Sequence, residues 1–389
     1  MLRHVTGLIL KISLLAALLA SLTGCWSKQE LNDRTFVSAM LVDLNENGQT
    51  EVSTLFMLPN RISTGLNSNV SNTKPFVLIS GSGADVAEAL QHIQRDLPRK
   101  VTWGQLQVVI IGDRFARKGL RPLFEHLVRA TDFRLPVYVF YFNGMAKNLA
   151  KLETIFERFP TEVWREAAHM KQVPPIRIRE LLYSVWNNFG DSYIPELSMR
   201  EMKLLSEGKT VKWSGVGGAA IMKDSKVIDR FSNEEMPGLL LLKNRVPEML
   251  VTGQLPGNDG VYSVRLEDTR PNVYAVREGS NVKLHVTIEG SADLIAIESN
   301  MNLTTSANIK KLEAVINRRI EQLVHGAADK AKSEQADTFQ WSEKIKYKYP
   351  QLWLEWSDNP RKQMFEHMKL EFDIKVNLRG TGVSRTSTM

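Results

Sequence analysis

The sequence predicts a multidomain α+β protein: a mixed α/β N-terminal part, then a C-terminal antiparallel sheet packed on a long helix. Three observations carry that prediction. Between residues 76 and 142, strand-like and helix-like segments alternate, the pattern of an α/β layer. Beyond residue 260, segments alternate strictly between apolar and polar residues, led by Val282-Lys283-Leu284-His285-Val286-Thr287-Ile288, which reads as a half-buried strand. Among these strands lies one extended stretch, Ser306 to about Ala331, with Ile309, Leu312, Ile316, Ile320 and Leu323 at three- and four-residue steps.

Taken in order, TFVSAMLVD (35–43) and EVSTLFML (51–58) read as strands joined by the turn signal Asn45-Glu46-Asn47-Gly48. Residues 60–74, rich in Ser, Asn and Thr, read as a loop. FVLIS (76–80) runs through Gly81-Ser82-Gly83 into a helix over 84–95 with Val86, Ala89, Leu90 and Ile93 on one face. A strand over 106–111 leads to a helix over 113–129, with Asp113 as N-cap and Phe115, Leu120, Leu123, Phe124 and Leu127 buried. A strand over 135–142 closes this unit. Residues 145–200 read as helical and irregular, with helices over 145–159, stopped by Pro160, and over 176–189. VKWSGVGGAAIM (211–222) and KVIDR (226–230) form a hairpin, and Ser232 caps a helix over 233–243. After a turn-rich break at 253–260, strands are expected at 262–265, 273–276, 282–288, 294–299 and 370–378. The expected division is a leader over 1–24, an N-terminal domain over 25–200 and a C-terminal region over 201–389. The last is divisible near 260 into a middle domain and a sheet-plus-helix domain.

The first residues say where the chain lives. Arg3 and Lys11 precede the uncharged run ISLLAALLASL (12–22), and Leu22-Thr23-Gly24 leads to Cys25, the only cysteine. A positive start, a short apolar run and small residues form a secretory signal. The apolar run is shorter than the roughly 20 residues a membrane span needs. Cysteine directly after the cut completes a lipoprotein box, so Cys25 is expected to carry an S-diacylglycerol group and an N-palmitoyl group. The second chain turns reversible binding into stable anchoring. With its one thiol acylated, the mature chain has no disulfide and must hold together through its core. A 389-residue chain less 24 leaves 365, enough for two or three domains.

Composition excludes several classes. Hydrophobic residues at 43% and charged residues at 24% are ordinary for a folded protein. The net charge of +7 falls slightly with the leader, and no basic block of the kind that binds nucleic acid is present. The seven histidines are scattered without ligand spacing, so no metal and no cofactor is expected. No nucleophile elbow occurs. Gly81-Ser82-Gly83 begins like a dinucleotide fingerprint but has Val86 at the third glycine's place, which favours a tight strand-to-helix turn. Gly215-x-Gly217-Gly218 suits close backbone packing or a bulge. Trp341, Tyr347, Tyr349, Trp353 and Trp356 could line a groove, but packing as a cap over the C-terminal sheet is favoured. No catalytic residues emerge, and the chain is not expected to be an enzyme.

Three blocks carry a resemblance. They are Gly24-Cys25-Trp26-Ser27-Lys28-Gln29-Glu30-Leu31-Asn32; Val109-Ile110-Ile111-Gly112-Asp113 with Ala116 and Gly119-Leu120; and Gly217-Gly218-Ala219-Ala220-Ile221 ahead of Glu234-Glu235 and Gly238-Leu239. In order and across the mature chain, they resemble the Ger(x)C family, the lipoprotein C subunits of bacterial spore germinant receptors. Ser27 stands where members often have Asp, and Leu41-Val42-Asp43 where they have a Gly-Ile-Asp-like end. The resemblance implies a non-catalytic lipoprotein on the outer face of the spore inner membrane, formed during sporulation. It would assemble with a membrane-embedded A subunit and a polytopic B subunit that respond to small nutrients. A stand-alone solute-binding lipoprotein feeding a transporter is the alternative, and an extracellular hydrolase the weakest reading.

Overall fold

The computed structural model describes residues 30–58, 61, 74–130, 132–170, 173–187, 189–244, 248–258, 260–299 and 301–380, with a few positions between 6 and 14. The first sheet contains β1 (Arg34–Leu44), β2 (Thr50–Met57), β3 (Phe76–Gly83), β4 (Lys100–Thr102), β5 (Val108–Gly112), β6 (Tyr138–Phe142), β7 (Ser192–Leu204), β8 (Lys209–Lys223) and β9 (Lys226–Phe231). Its order is β3-β2-β1-β5-β6-β7-β8-β9, with β4 also paired to β1. Strands β1, β5, β6 and β7 run parallel, and hairpins β1–β2–β3 and β7–β8–β9 flank them.

The parallel centre is buried on both faces, as crossover connections require. Val37, Met40, Val42, Val109 and Ile111 face a core shared with α1 (Val86–Arg95), α2 (Asp113–Lys118), α3 (Arg121–Arg129) and α5 (Ile178–Asn187). Ala39, Leu41, Val108, Ile110 and Phe140 face the opposite core, where Trp164 of α4 (Pro160–His169) is buried and donates to Ser214 Oγ at 3.2 Å.

After α6 (Met236–Leu242), the second sheet contains β10 (Glu248–Gln254), β11 (Val261–Glu278), β12 (Asn281–Glu298) and β13 (Met368–Gly380), in that order. The 28-residue helix α7 (Ser306–Ser333) lays Leu312, Ile316, Ile320 and Val324 into the core that also takes Val282, Leu284, Val286 and Ile288. That core is continuous with the one under the first sheet. Gly238 of α6 brings α6 against α7: a Cβ there would sit 2.0 Å from the Leu323 carbonyl oxygen. The short helices α8 (Trp341–Lys348), α9 (Pro350–Glu355) and α10 (Pro360–His367) lead back to β13.

Several local expectations are corrected. The helix expected over 113–129 is broken at Gly119, whose φ of 136° no helix accepts. Asp113 is not its N-cap; Gly112 holds that position, and the Asp113 carboxylate accepts instead from Tyr141 and Arg117. Pro160 starts a helix rather than stopping one, because a first-turn proline sacrifices no intrahelical bond. Ahead of it only Ala146–Lys151 forms a 3-10 turn. The region 192–200, expected to be helical or irregular, is strand β7, and 248–254 is a strand as well. Strands expected at 262–265 and 273–276 form one strand, joined through a bulge between Glu267 and Arg270. Those at 282–288 and 294–299 also merge. The C-terminal sheet is not wholly antiparallel: β13 returns parallel to β12, since α7 to α10 form a crossover between them. Most of the loop expected over 60–74 lies outside the described residues.

Candidate functional site

Cys25, the one site residue expected from sequence, lies outside the described residues, as does the rest of its block up to Gln29. No described helix is long and apolar enough to cross a membrane. Of the other two blocks, the second runs along β5 and meets the β8–β9 turn at a corner made by β5, α2 and that turn, while the third lies on β8 and α6.

Each glycine of the corner answers to one neighbour. A Cβ on Gly112 would lie 2.0 Å from Asp43 Oδ2. Asp43 is itself buried and accepts from the Leu44 and Ala146 amides at 2.8 and 2.9 Å. Burial pushes its carboxyl above the usual range, while those amides pull it back. Next along, Asp113 accepts from Tyr141 Oη at 2.5 Å and from Arg117 Nε at 2.8 Å. Burial and then Asp113 itself raise the Tyr141 phenol, so it stays a proton donor. Ala116 is buried, and the Leu120 amide donates to the Ser225 carbonyl at 2.7 Å. In the third block, a Cβ on Gly218 would meet the Phe231 carbonyl oxygen at 1.8 Å, so the tight packing expected of this glycine run is present. Ser232 and Glu235 exchange bonds, Glu235 Oε2 with the Ser232 amide at 2.7 Å and Ser232 Oγ with the Glu235 amide at 3.3 Å, a capping box ahead of α6.

Beside the second block lies a cavity of ≈ 620 Å³ lined by Leu44, Phe115, Lys118, Gly119, Ser225 and Lys226 among others. Ala84 and Asp85, just after the Gly81-Ser82-Gly83 turn, border it, but the turn holds no phosphate cradle. Gly81 and Gly83 let β3 press on α1, their Cβ positions lying 2.4 and 2.8 Å from backbone atoms of Ala89. Asp85 and Glu88 already fill the helix N-terminus, taking the Glu88 and Ala84 amides.

A second polar centre joins the two sheets. Asp191, just before β7, is 0% exposed, and its Oδ1 accepts from Arg361 Nη2 of α10 at 2.8 Å and from the Asp224 amide at 3.0 Å. Its Oδ2 accepts from the Asp337 amide at 2.9 Å. Asp337, equally buried, accepts from the Trp341 and Ser342 amides at 2.7 and 3.0 Å and so fixes the start of α8. Burial raises both carboxyls, Asp191 to about 6 against the pull of Arg361, and Asp337 to about 7. Arg361 also spans Asp224 and stacks on Phe189 with its guanidinium 5.1 Å from the ring centroid. Asp224 and Ser225 hold φ of 51° and 62° without glycine, a strained turn kept by these bonds. Sequence reasoning missed this centre: Asp191, Asp224, Asp337 and Arg361 share no motif, and their separation along the chain hides their contact.

The aromatic segment belongs to the same junction. Trp341 is buried beside Phe339, which reaches Phe231 of β9. Trp353 meets Phe189 and Trp356, and Tyr349 Oη donates to the Ala275 carbonyl of β11 at 3.3 Å. Tyr347 alone stands out, 93% exposed. These rings join the sheets rather than line a groove. Among the described residues no three His, Cys, Asp or Glu side chains converge as metal ligands.

Comparison with known proteins matches residues 27–199 to the spore germination protein N-terminal domain and residues 217–382 to the spore germination B3/GerAC-like C-terminal domain. The chain belongs to the Ger(x)C family. Two Ger(x)C relatives come from Bacillus subtilis. The putative spore germination protein YfkR is 29% identical over 81% of this chain and 82% of its own length. Spore germination protein KC is 22% identical over 93% of each. The crystal structure of the GerBC protein shares the fold, with a TM-score of 0.57 at 18% identity over 87% of this chain and 96% of that one. The first matched range ends on β7 at residue 199 and the second begins on β8 at residue 217, so one hairpin of one sheet links the two. Its strands pair from Ser192–Met222 to Leu204–Lys209.

Proposed function

We propose that the chain is the lipid-anchored, non-catalytic subunit of a nutrient germinant receptor, required for nutrient-triggered spore germination. The observation that carries this reading is the match of both germination-protein domains, in order, over nearly all of the chain after Cys25. Cys25 would hold it on the outer face of the spore inner membrane beside the A and B subunits. Its buried carboxylates support a structural part: Asp43, Asp191 and Asp337 each spend their lone pairs on neighbouring donors of the fold. Acid–base catalysis instead needs groups within reach of a substrate proton.

The test has two arms. Cys25→Ala should abolish labelling by a palmitate analogue, leave a slower-migrating precursor and slow the response to this receptor's nutrients. Cys25→Ala chain that is still labelled and processed would refute the anchor. Affinity capture of wild-type chain from detergent-solubilised spore inner membrane should bring down one A and one B subunit. Capture of neither, with germination normal in a deletion strain lacking paralogues, would refute the receptor role.

A further inference from the structure

The second sheet and α7 border an open cavity of ≈ 620 Å³, apart from the corner described above. Its apolar walls include Leu255, Val261 and Val315, and its polar wall is made by Arg318 and Arg319 of α7 with Tyr262 of β11. Among the described residues, no carboxylate lines it. Elsewhere Arg361 takes Asp191 and Asp224, and the exposed Arg379 takes Glu267 and Asp293. Arg319 Nε is buried and has no hydrogen-bond partner. Arg319 as a whole is half-buried, but an unmade bond on its buried Nε–H is costly, and the cost is recovered when an acceptor arrives. The Tyr262 hydroxyl, also buried, has only the Val315 carbonyl oxygen at 3.5 Å. Burial raises this phenol, and the nearby Arg319 charge opposes the rise. Gly253 lets the Tyr262 ring lie on its backbone at the cavity wall, since a Cβ there would lie 2.4 Å from Tyr262 Oη.

We propose that this cavity binds a small organic anion, with a carboxylate or phosphate head on Arg318 and Arg319 and an apolar body against Leu255, Val261 and Val315. The guanidinium fork matches the paired oxygens of either head group. The volume falls within the range of about 300–1,000 Å³ usual for small-molecule sites, which combine apolar walls with a few placed polar groups. The inference stands apart from the receptor reading, because it rests on the walls of the cavity and needs neither the anchor nor a partner subunit.

The experiment is calorimetric titration of purified full chain in detergent with benzoate, phenyl phosphate and neutral benzamide. At least one anion should bind saturably, benzamide should not, and added salt should weaken the binding. Arg319→Gln should weaken it about tenfold to a hundredfold. Arg319→Lys should fall between, keeping the charge without the fork. Arg318 is exposed, so Arg318→Gln tests the same wall without touching the core should Arg319→Gln fail to fold. It should cost several-fold in affinity at an unchanged unfolding midpoint. The proposal is overturned if neither anion binds up to about 10 mM, if benzamide binds as well as the anions, or if Arg318→Gln and Arg319→Gln leave affinity unchanged.

Discussion

Along β1 of the first sheet, every residue from Val37 to Leu44 leaves water, alternate ones entering opposite cores. Along β13 of the second sheet, Lys369, Glu371, Asp373, Lys375, Asn377 and Arg379 stay exposed between inward-facing Leu370, Phe372, Ile374, Val376 and Leu378. One sheet is a wall between two cores; the other is a lid with one wet side. The contrast teaches where this chain has slack. A substitution inside the first sheet has packed atoms on both sides, whereas one on the second can relax outward.

The sharpest way to break that contrast is a pair of glycine variants. Gly112→Ala pushes a methyl group to 2.0 Å from the buried Asp43 carboxylate, which is tied to two amides and cannot retreat. It should cost about 3 kcal/mol or more, through overpacking and the broken bonds of a buried polar group. Gly290→Ala in the second sheet meets the Thr269 methyl at 2.9 Å beside a bulge that can give, and should cost about 1 kcal/mol or less. Urea denaturation of both checks this. Equal losses would mean that the second sheet has no more slack than the first.

Between the sheets the expected effect is smaller and depends on pH. Burial raises Asp337 to about 7 and Asp191 to about 6, both above the unfolded value near 3.8. The folded state therefore holds more protons than the unfolded state between about pH 4 and 7, and stability drawn from this pair falls as pH rises through that window. Asp337→Asn cannot ionise. Relative to wild type, its unfolding midpoint should therefore be lower at about pH 4 than at about pH 7, the gap closing or reversing as pH rises. A gap that is constant across this window would show that Asp337 does not titrate within it.

The same contrast decides what could be read from sequence. Apolar runs such as VVIIG and strict alternation such as VKLHVTI each carry a period, so the central strands of both sheets and α7 were legible. β7 was not, because SYIPELSMREMKL mixes a proline with charges. Its apolar half is buried in the sheet, and its polar half projects as a two-stranded ribbon with β8. The breaks expected inside β11 and β12 follow from Pro271 and Gly290, which the fold absorbs in a bulge. Two of the three family blocks, legible as motifs, prove to be glycines and caps that let β5, β8 and α6 pack closely on their neighbours. The acidic junction was illegible, since nothing in the local sequence of Asp191 or Asp337 announces a partner more than a hundred residues away.

The smallest effect is expected on the wet side of the second sheet. Lys283 Nζ lies 2.9 Å from Glu278 and 3.4 Å from Glu371, and His285 Nδ1 is also 3.4 Å from Glu371. Their bonding lowers the Glu278 carboxyl and raises the Lys283 ammonium. Taken alone, the lowered carboxyl would add stability that disappears as pH falls through its folded value. These side chains face water, however, and ordering long side chains offsets most of the attraction between exposed charges. Lys283→Ala should leave the urea midpoint where it is, and raising the salt concentration should move the wild-type midpoint no more than that of the variant. A midpoint lowered as far as by Gly112→Ala would contradict the open-sided reading. It would mean that the outer ladder is shielded from water, and that the second sheet, like the first, is a wall with something packed on either face.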